Sequence, residues 1–243
     1  MTETDLLRAV NGASDQQLSH SERARPGRRL PVLLAAAACA ALFLLLWPRG
    51  GTELAPGVTL RYEDPDVSMS AACDLAYCTE EKLLCPRRWE QAVFQGQVTS
   101  VRNLSLDFNG SKAWRALADI RVSRVWQGDV QAGEIVSVLL PCPVAEGVWV
   151  EDCQVAARIE AGTEGIFLPI QYGPDAFWEQ NGASVRLRDI APFGLADGMR
   201  FAFLDGGDGL IYEPSAWPGL EGASSLEDVA AFLDRRLAVM RID

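Results

Sequence analysis

The sequence predicts a mainly β domain, a small barrel or sandwich with a C-terminal helix, which follows a single transmembrane helix. Three patterns lead to this prediction. Residues 31–47 carry no charge, several segments between 93 and 187 alternate apolar and polar residues, and 225–240 repeats apolar residues at helical spacing. The chain has 243 residues, 49% of them hydrophobic, which suffices for one sizeable core beyond a membrane span.

The predicted transmembrane helix covers residues 30–48. Its apolar run, PVLLAAAACAALFLLLW, has the minimum length of a helix that spans a bilayer, and a helix satisfies every backbone polar group inside lipid. Trp47 ends the run, where an indole ring lies among the lipid headgroups. The residues assigned to the anchor are Pro31, Leu33, Leu42, Phe43, Leu45 and Trp47.

The arginines around this segment predict its orientation. Four of them precede it closely, and only Arg49 follows closely. Because positive residues stay in the cytoplasm, we expect a cytoplasmic N-terminus and an extracytoplasmic C-terminal domain. The arginines that set this topology are Arg23, Arg25, Arg28 and Arg29.

The apolar segment has three other interpretations. A cleaved signal peptide has a shorter apolar core and a site of small residues, whereas here Trp47, Pro48 and Arg49 follow. Lipidation of Cys39 fits the preceding AAA, but the apolar run continues well past Cys39. A buried core helix lacks capping residues at its flanks. The membrane anchor is therefore the preferred interpretation.

Residues 1–29 form the predicted cytoplasmic tail. Leu6, Leu7 and Val10 have the spacing of a short amphipathic helix, and the alternative is a disordered tail whose arginines only set topology. This leader resembles those of many single-pass proteins of Gram-positive bacteria, some of which restrain sigma factors. After the span, residues 49–72 are predicted to be a linker or leader, and 73–243 the extracytoplasmic domain.

The strands of that domain are predicted from apolar residues that recur at every second position. The alternating segments are 93–101, 115–126, 134–140, 165–170 and 184–189. Turn sequences separate them, at 109–111, 126–129 and 161–165. This spacing of short strands is typical of a small barrel or sandwich.

Two helices are predicted. The segment from Cys78 to Gln91 contains TEEKLL and then Pro86, so any helix there is short or interrupted. The segment 225–240 is a full amphipathic helix that we expect to pack on the barrel, and Ser225 with Asp228 resembles a capping box at its start.

Five cysteines lie beyond the predicted span, on the side where disulfides form and persist. Cys142 continues the inward parity of Val136, Val138 and Leu140, so we expect it to point into the domain. A bridge from the 73–85 segment to Cys142 or Cys153 would hold the irregular leader on the sheet, although the spacing leaves the connectivity open. A metal site is the rival interpretation, but the spacings do not match a zinc knuckle. The disulfide candidates are Cys73, Cys78, Cys85, Cys142 and Cys153.

The order of these features resembles the netrin-like domain, the OB-type barrel shared with tissue inhibitors of metalloproteinases. The resemblance covers about residues 73–205 and depends on the early cysteines, Phe94 to Val98, Val125 to Gly128, Cys142, and Gly162 to Leu168. It implies an OB-like β-barrel. In the inhibitors a cysteine at the free N-terminus chelates the protease zinc, whereas Cys73 lies within the chain. The resemblance therefore implies the fold and not that inhibitory activity.

The sequence offers little for catalysis. The only histidine is His20, in the predicted tail, so the ectodomain has no Ser-His-Asp or Cys-His arrangement. The segment DGGDG at 205–209 has some donors of a calcium loop but is better interpreted as a hairpin turn between two apolar stretches. Six tryptophans are expected mostly in the core or at the barrel rim, and some could line a carbohydrate or peptide site: Trp89, Trp114, Trp126, Trp149, Trp178 and Trp217.

The charge and the motifs together favour a binding function. The net charge is −11 and the acidity lies beyond the tail, which makes nucleic acid an unsuitable partner. We expect a membrane-anchored extracytoplasmic binding module with no catalytic role and no cofactor, whose partner is a protein, a peptide or a glycan. The alternative is a transmembrane regulator of the anti-sigma type, in which the ectodomain senses and residues 1–29 bind a cytoplasmic partner.

Overall fold

The computed structural model of the chain describes residues 51–65, 78–86 and 89–240. The predicted tail over 1–29, the predicted transmembrane helix over 30–48, and Cys73 lie outside these residues. Within the described ranges, no helix combines the length and the hydropathy that a membrane span requires.

The described fold is mainly β, with 41% strand, and ends in a helix. Its two α-helices are α1 (Glu80–Leu84) and α2 (Leu226–Met240). In chain order the strands are β1 (Thr52–Ala55), β2 (Val58–Tyr62), β3 (Val93–Phe108), β4 (Ser111–Gln127), β5 (Ile135–Leu140), β6 (Glu164–Phe167), β7 (Ile170–Gln171), β8 (Phe177–Gln180), β9 (Ala183–Arg186), β10 (Phe193–Gly194), β11 (Ala202–Asp205) and β12 (Leu210–Ile211). The predicted fold class, mainly β with a C-terminal helix, is confirmed at this level.

Ten of these strands form one curled sheet that makes half of a barrel. The long hairpin β3–β4 is its centre, with β5 on the far side of β4, and both β2 and β6 along β3. Strand β10 pairs in parallel with β5 and antiparallel with β7. A single bridge from Gln91 to Ile170 joins the residues before β3 to β7. Strands β8 and β9 form a separate hairpin.

The first half of β3 and parts of β4 and β5 follow the predicted alternation. Asn109 and Gly110 make a two-residue turn with positive φ at both positions, the geometry that suits a tight hairpin. The predicted turn at 205–209 also connects two strands, β11 and β12. The predicted strand over 165–170 is interrupted at Pro169, which has no N–H to donate, so two short strands form instead of one.

Two glycines face each other across the pairing of β3 with β6. Gly96 of β3 and Gly165 of β6 are register partners. A Cβ on Gly96 would lie 2.5 Å from the carbonyl oxygen of Arg121, and one on Gly165 would lie 2.8 Å from that of Phe203. Only residues without a side chain permit this close approach.

The sheet begins earlier in the chain than the cysteine pattern indicated. Within the predicted linker over 49–72, β1 and β2 form a hairpin, and β2 pairs with the distal half of β3. Val58 and Leu60 are buried there. Two inward residues are too short an alternation to identify a strand from sequence.

Two hydrophobic clusters lie on opposite faces of the sheet. Along β5, Val138 and Leu140 belong to the first cluster, whereas Leu139 between them belongs to the second. Because successive side chains of a strand point to opposite faces, these assignments place one cluster on each side. Helix α2 packs in the first cluster, and the β8–β9 hairpin covers the second.

Helix α2 begins at the predicted capping box. The Asp228 carboxylate accepts hydrogen bonds from the N–H and Oγ–H of Ser225, and Ser225 Oγ accepts from the N–H of Asp228. Its buried residues are Leu226, Val229, Ala230, Phe232, Leu233 and Leu237. On its outer side, Asp234 accepts from the Trp126 indole at 2.8 Å and from Arg124 at 2.8 Å. The expected packing of this helix on the sheet is confirmed.

The hydrogen bonds to Asp228 and Asp234 should make the stability of the fold depend on pH. Hydrogen bonds from Ser224 and Ser225 lower the pKa of Asp228, and those from Trp126 and Arg124 lower the pKa of Asp234, both below the ordinary value of 3.8. The stabilisation from these two ionised carboxylates is fully present above about pH 3.8. It is lost as the pH falls through their lower pKa values in the folded state. We therefore expect the free energy of unfolding to fall with acidification below that pH.

Urea denaturation between pH 5 and pH 2 measures this effect. The variant Asp234→Asn should have a shallower acid dependence, since it cannot gain a proton on unfolding. An acid slope identical to that of the parent chain would exclude a contribution from this contact.

Candidate functional site

A groove of about 700 Å³ lies where β2, the middle of β3 and the loop after β5 meet. It is larger than three other concavities of the described residues, which have volumes of about 590, 470 and 320 Å³. We call it the acidic groove. Its lining residues are Tyr62, Glu63, Asp64, Val101, Arg102, Asn103, Val144, Ala145, Glu146, Ala157, Glu160 and Ala161.

A β-bulge creates the floor of the acidic groove. The register between β3 and β4 shifts between Val98 and Ser100, which exchanges the faces of all later residues of β3. Before the shift, Val98 packs in the first hydrophobic cluster, and after it Val101 contacts that same cluster. Asn103 and Ser105 therefore turn polar groups toward this side of the sheet, where they are buried.

Asn103 connects the two walls of the acidic groove by hydrogen bonds. Its side-chain N–H donates to Asp64 Oδ1 at 2.8 Å and to the carbonyl oxygen of Val144 at 2.9 Å. Its Oδ1 accepts the N–H of Val144 at 2.8 Å. A buried amide with its donors and acceptor all engaged fixes its neighbours, so the segment after β2 and the loop after β5 hold a defined separation.

Glu63 is a fixed anion on one wall. Ser105 donates to its carboxylate at 2.6 Å and Lys112 at 3.0 Å. These two hydrogen bonds, with the charge of Lys112, lower the pKa of Glu63 below its usual value of 4.5. The carboxylate is therefore ionised at neutral pH.

The charges that line the acidic groove are mostly negative. It contains the carboxylates of Glu63, Asp64, Glu146 and Glu160 and one cation, Arg102. The guanidinium of Arg102 lies 3.3 Å from Asp119 and 4.9 Å from the centre of the Tyr62 ring. A concave surface with one sign of charge concentrates the field and attracts ligands of the opposite sign. The arrangement is suited to bind a cation.

The second wall is a loop bounded by two buried cysteines. Cys142 and Cys153 are 1% and 4% exposed, and the residues between them provide Val144, Ala145 and Glu146 to the acidic groove. The predicted inward orientation of Cys142 is confirmed. Among the described residues, Cys78, Cys85, Cys142 and Cys153 are free thiols. Cys85 instead contacts the sulfur of Met240 at 3.7 Å.

An aromatic concavity of about 320 Å³ lies on the other face of the sheet, beside the β8–β9 hairpin. Trp178 packs on Phe108 and has the guanidinium of Arg115 4.4 Å from its ring centre. Tyr172 also lines this concavity, and burial raises its pKa to about 12.

The tryptophans are divided between the core and the surface, largely as expected. Trp114, Trp126 and Trp217 are buried, whereas Trp89 and Trp149 are 40% and 54% exposed. Trp178 alone among them lines the aromatic concavity, and none lines the acidic groove. Within the described ranges, no three His, Cys, Asp or Glu side chains are grouped as a metal site requires.

The acidic groove was not predicted from the sequence, because its residues come from four separate segments. The only local signal is the polar stretch that follows VTLRY, with Glu63 and Asp64 directly after a strand. The sequence does not indicate which loop approaches them.

Comparison with protein-family models, with curated proteins and with solved structures found no match for this chain.

Proposed function

We propose that this chain is a membrane-anchored, extracytoplasmic binding module whose acidic groove takes a basic segment of a peptide or protein partner. The acidic groove is the observation that carries the proposal: four carboxylates line a concavity of about 700 Å³. This volume lies within the range of about 300–1,000 Å³ that is typical of ligand-binding clefts. Fixed walls reduce the entropy lost on binding.

The anchored part of the proposal rests on the sequence. The uncharged segment 31–47 and the arginines before it support a single span with the domain outside. The absence of histidine beyond His20 supports a role in binding rather than in acid–base or nucleophilic catalysis.

We further propose that the half-barrel is of the OB type, as in netrin-like domains. The support is its connectivity: β3, β4 and β5 are consecutive antiparallel strands, β10 lies parallel to β5, and β7 lies antiparallel to β10. The bridge from Gln91 to Ile170, with the hydrogen bond from the N–H of Ala92 to the carbonyl oxygen of Pro169, brings the last of these strands back to β3. Barrels of this kind commonly bind ligands on one face or at a rim.

Removing two charges from the acidic groove tests the binding function. The probe is a fluorescent oligolysine peptide, and binding is measured by fluorescence anisotropy. The double variant Glu146→Gln/Glu160→Gln should weaken binding by about 3–10-fold, since each partly exposed charge contributes roughly 0.3–0.7 kcal/mol. The loss should shrink at high salt, where exposed charges are screened.

A matched control has the same net charge as this double variant, because it also replaces two glutamates by glutamine. Glu221 and Glu227 are exposed and lie outside the acidic groove, so Glu221→Gln/Glu227→Gln should leave the affinity nearly unchanged. Equal weakening by both double variants would show that overall charge, not the acidic groove, binds the peptide.

The second candidate function is a transmembrane regulator whose residues 1–29 hold a cytoplasmic partner such as a sigma factor. The amphipathic spacing of Leu6, Leu7 and Val10 favours it. An affinity experiment with the 1–29 peptide, compared with the same peptide carrying Leu6→Ser and Leu7→Ser, measures this. Recovery of the same proteins by both peptides would argue against it.

A further inference from the structure

Two buried cysteines meet at the base of the loop 143–152. Cys142 directly follows the strand β5 and Pro141, and Cys153 ends the loop. A cysteine pair in this structure comes within 3.8 Å, and the thiols of Cys142 and Cys153 are hydrogen-bond partners. Such thiols need only a small approach to reach the length of about 2.05 Å of an S–S bond.

The backbone on both sides of this pair is held in place. Cys142 continues the buried face of β5. Cys153 lies against the turn at 197–200, where a Cβ on Gly198 would be 2.5 Å from its Sγ. The carbonyl of Cys153 accepts the N–H of Ala157 at 2.8 Å, and the N–H of Ala156 donates to Gly198 at 2.8 Å. The pairing thus arises from the fold and not from flexible ends.

The two thiols are chemically distinct. The hydrogen bond from Cys142 lowers the pKa of Cys153, and the same contact together with burial raises the pKa of Cys142. The charge of Arg115 favours the thiolate at both positions. Cys153 is therefore the sulfur better suited to attack, since the thiolate is the nucleophile in disulfide exchange.

We propose that Cys142 and Cys153 form an oxidisable dithiol that becomes an intramolecular disulfide by exchange with an external disulfide. The Cys153 thiolate attacks one sulfur of the oxidant and expels the other as a thiolate, which leaves a mixed disulfide on Cys153. The Cys142 thiolate then attacks Cys153 Sγ and expels the second thiol. The two cysteines lose two electrons and two protons, and the oxidant disulfide is reduced to two thiols, so the exchange balances.

The disulfide would close the loop that forms one wall of the acidic groove. Val144 is already attached to Asn103, and the covalent bond would attach the other end of the loop to β5. Because both sulfurs are buried, the oxidant reaches them while the loop opens or while the chain folds. The inference does not depend on the proposed function, since connectivity can be determined without any ligand.

Mass mapping of the full chain tests this pairing. The reduced protein is incubated with oxidised glutathione, remaining thiols are alkylated under denaturing conditions, and the chain is cut with trypsin and a glutamate-specific protease. Cleavage after Glu134, Glu146, Glu151 and Arg158 separates the two cysteines into peptides 135–146 and 152–158. We expect these peptides to be joined, with a mass two hydrogens below their sum.

The variant Cys85→Ser is the matched control. Cys85 is exposed, and its thiol contacts Met240 rather than Cys142 or Cys153. It should give the same joined peptides in the same yield. A link from Cys142 or Cys153 to Cys73, Cys78 or Cys85 would overturn the proposal, and so would full alkylation of both cysteines after oxidation.

Discussion

Replacing Trp217 by alanine should lower the free energy of unfolding by about 3–5 kcal/mol. Trp217 is 1% exposed and lies between the sheet and helix α2. Its ring centre is 5.0 Å from that of Phe203 in β11 and 6.3 Å from that of Phe232 in α2. Its indole N–H donates to the carbonyl oxygen of Arg200 at 3.1 Å. Alanine would leave a cavity between two elements and remove this donor.

Urea denaturation with linear extrapolation measures the loss. Trp149 is 54% exposed, so Trp149→Ala is the control and should change stability by no more than about 0.5 kcal/mol. The variant Trp217→Phe should fall between the two, since it keeps an aromatic ring and loses the hydrogen bond. Similar stabilities for Trp217→Ala and Trp149→Ala would contradict the described packing of α2.

Replacing Asp197 by alanine should also destabilise the fold by about 3–5 kcal/mol. The Asp197 carboxylate is buried and accepts from the N–H groups of Met199 and Arg200. It also lies 2.8 Å from the Arg200 guanidinium, and the two side chains are only 5% and 15% exposed. Removing the carboxylate would break this ion pair with a mostly buried cation and would leave two N–H groups without this acceptor.

One variant separates the charge of Asp197 from its role as an acceptor, and a second one removes an exposed ion pair for comparison. Asp197→Asn keeps an oxygen for the two N–H groups and should cost less than alanine. Lys112→Ala removes an ion pair whose side chains are 46% and 34% exposed, and it should cost no more than about 1 kcal/mol. If Asp197→Ala and Lys112→Ala had the same free energy of unfolding, the buried ion pair would stabilise the fold no more than the exposed one.

The parts of the fold that the sequence predicted are those with a simple period. In β4 and β5, the stretches Ala118 to Val122 and Val136 to Val138 bury every second residue, so apolar and polar residues alternate in their sequence. Helix α2 combines a capping box with one apolar face. The inward orientation of Cys142 followed from the same parity.

The distal half of β3 shows why other parts were missed. Asn103, Leu104, Ser105 and Leu106 are all buried, because both faces of the sheet are covered at this point. A strand covered on both faces loses its alternation, and the bulge near Thr99 changes the parity as well.

The candidate site could be predicted only in part. Among the tryptophans that the sequence suggested for a ligand site, only Trp178 lines the aromatic concavity. The acidic groove combines Asp64, Asn103 and Val144, which are distant in sequence and are joined by hydrogen bonds of Asn103. The proximity of Cys142 and Cys153 likewise depends on the path of the loop between them.

The most direct measurement of the proposed function is an amide NMR titration of the fragment 50–243 with an unlabelled oligolysine peptide. This fragment corresponds to one compact unit of the chain. Binding in the acidic groove predicts the largest shifts at residues 62–64, 102–103 and 144–146. Shifts concentrated around Trp89 or Trp178, or no shifts at saturating peptide, would contradict it.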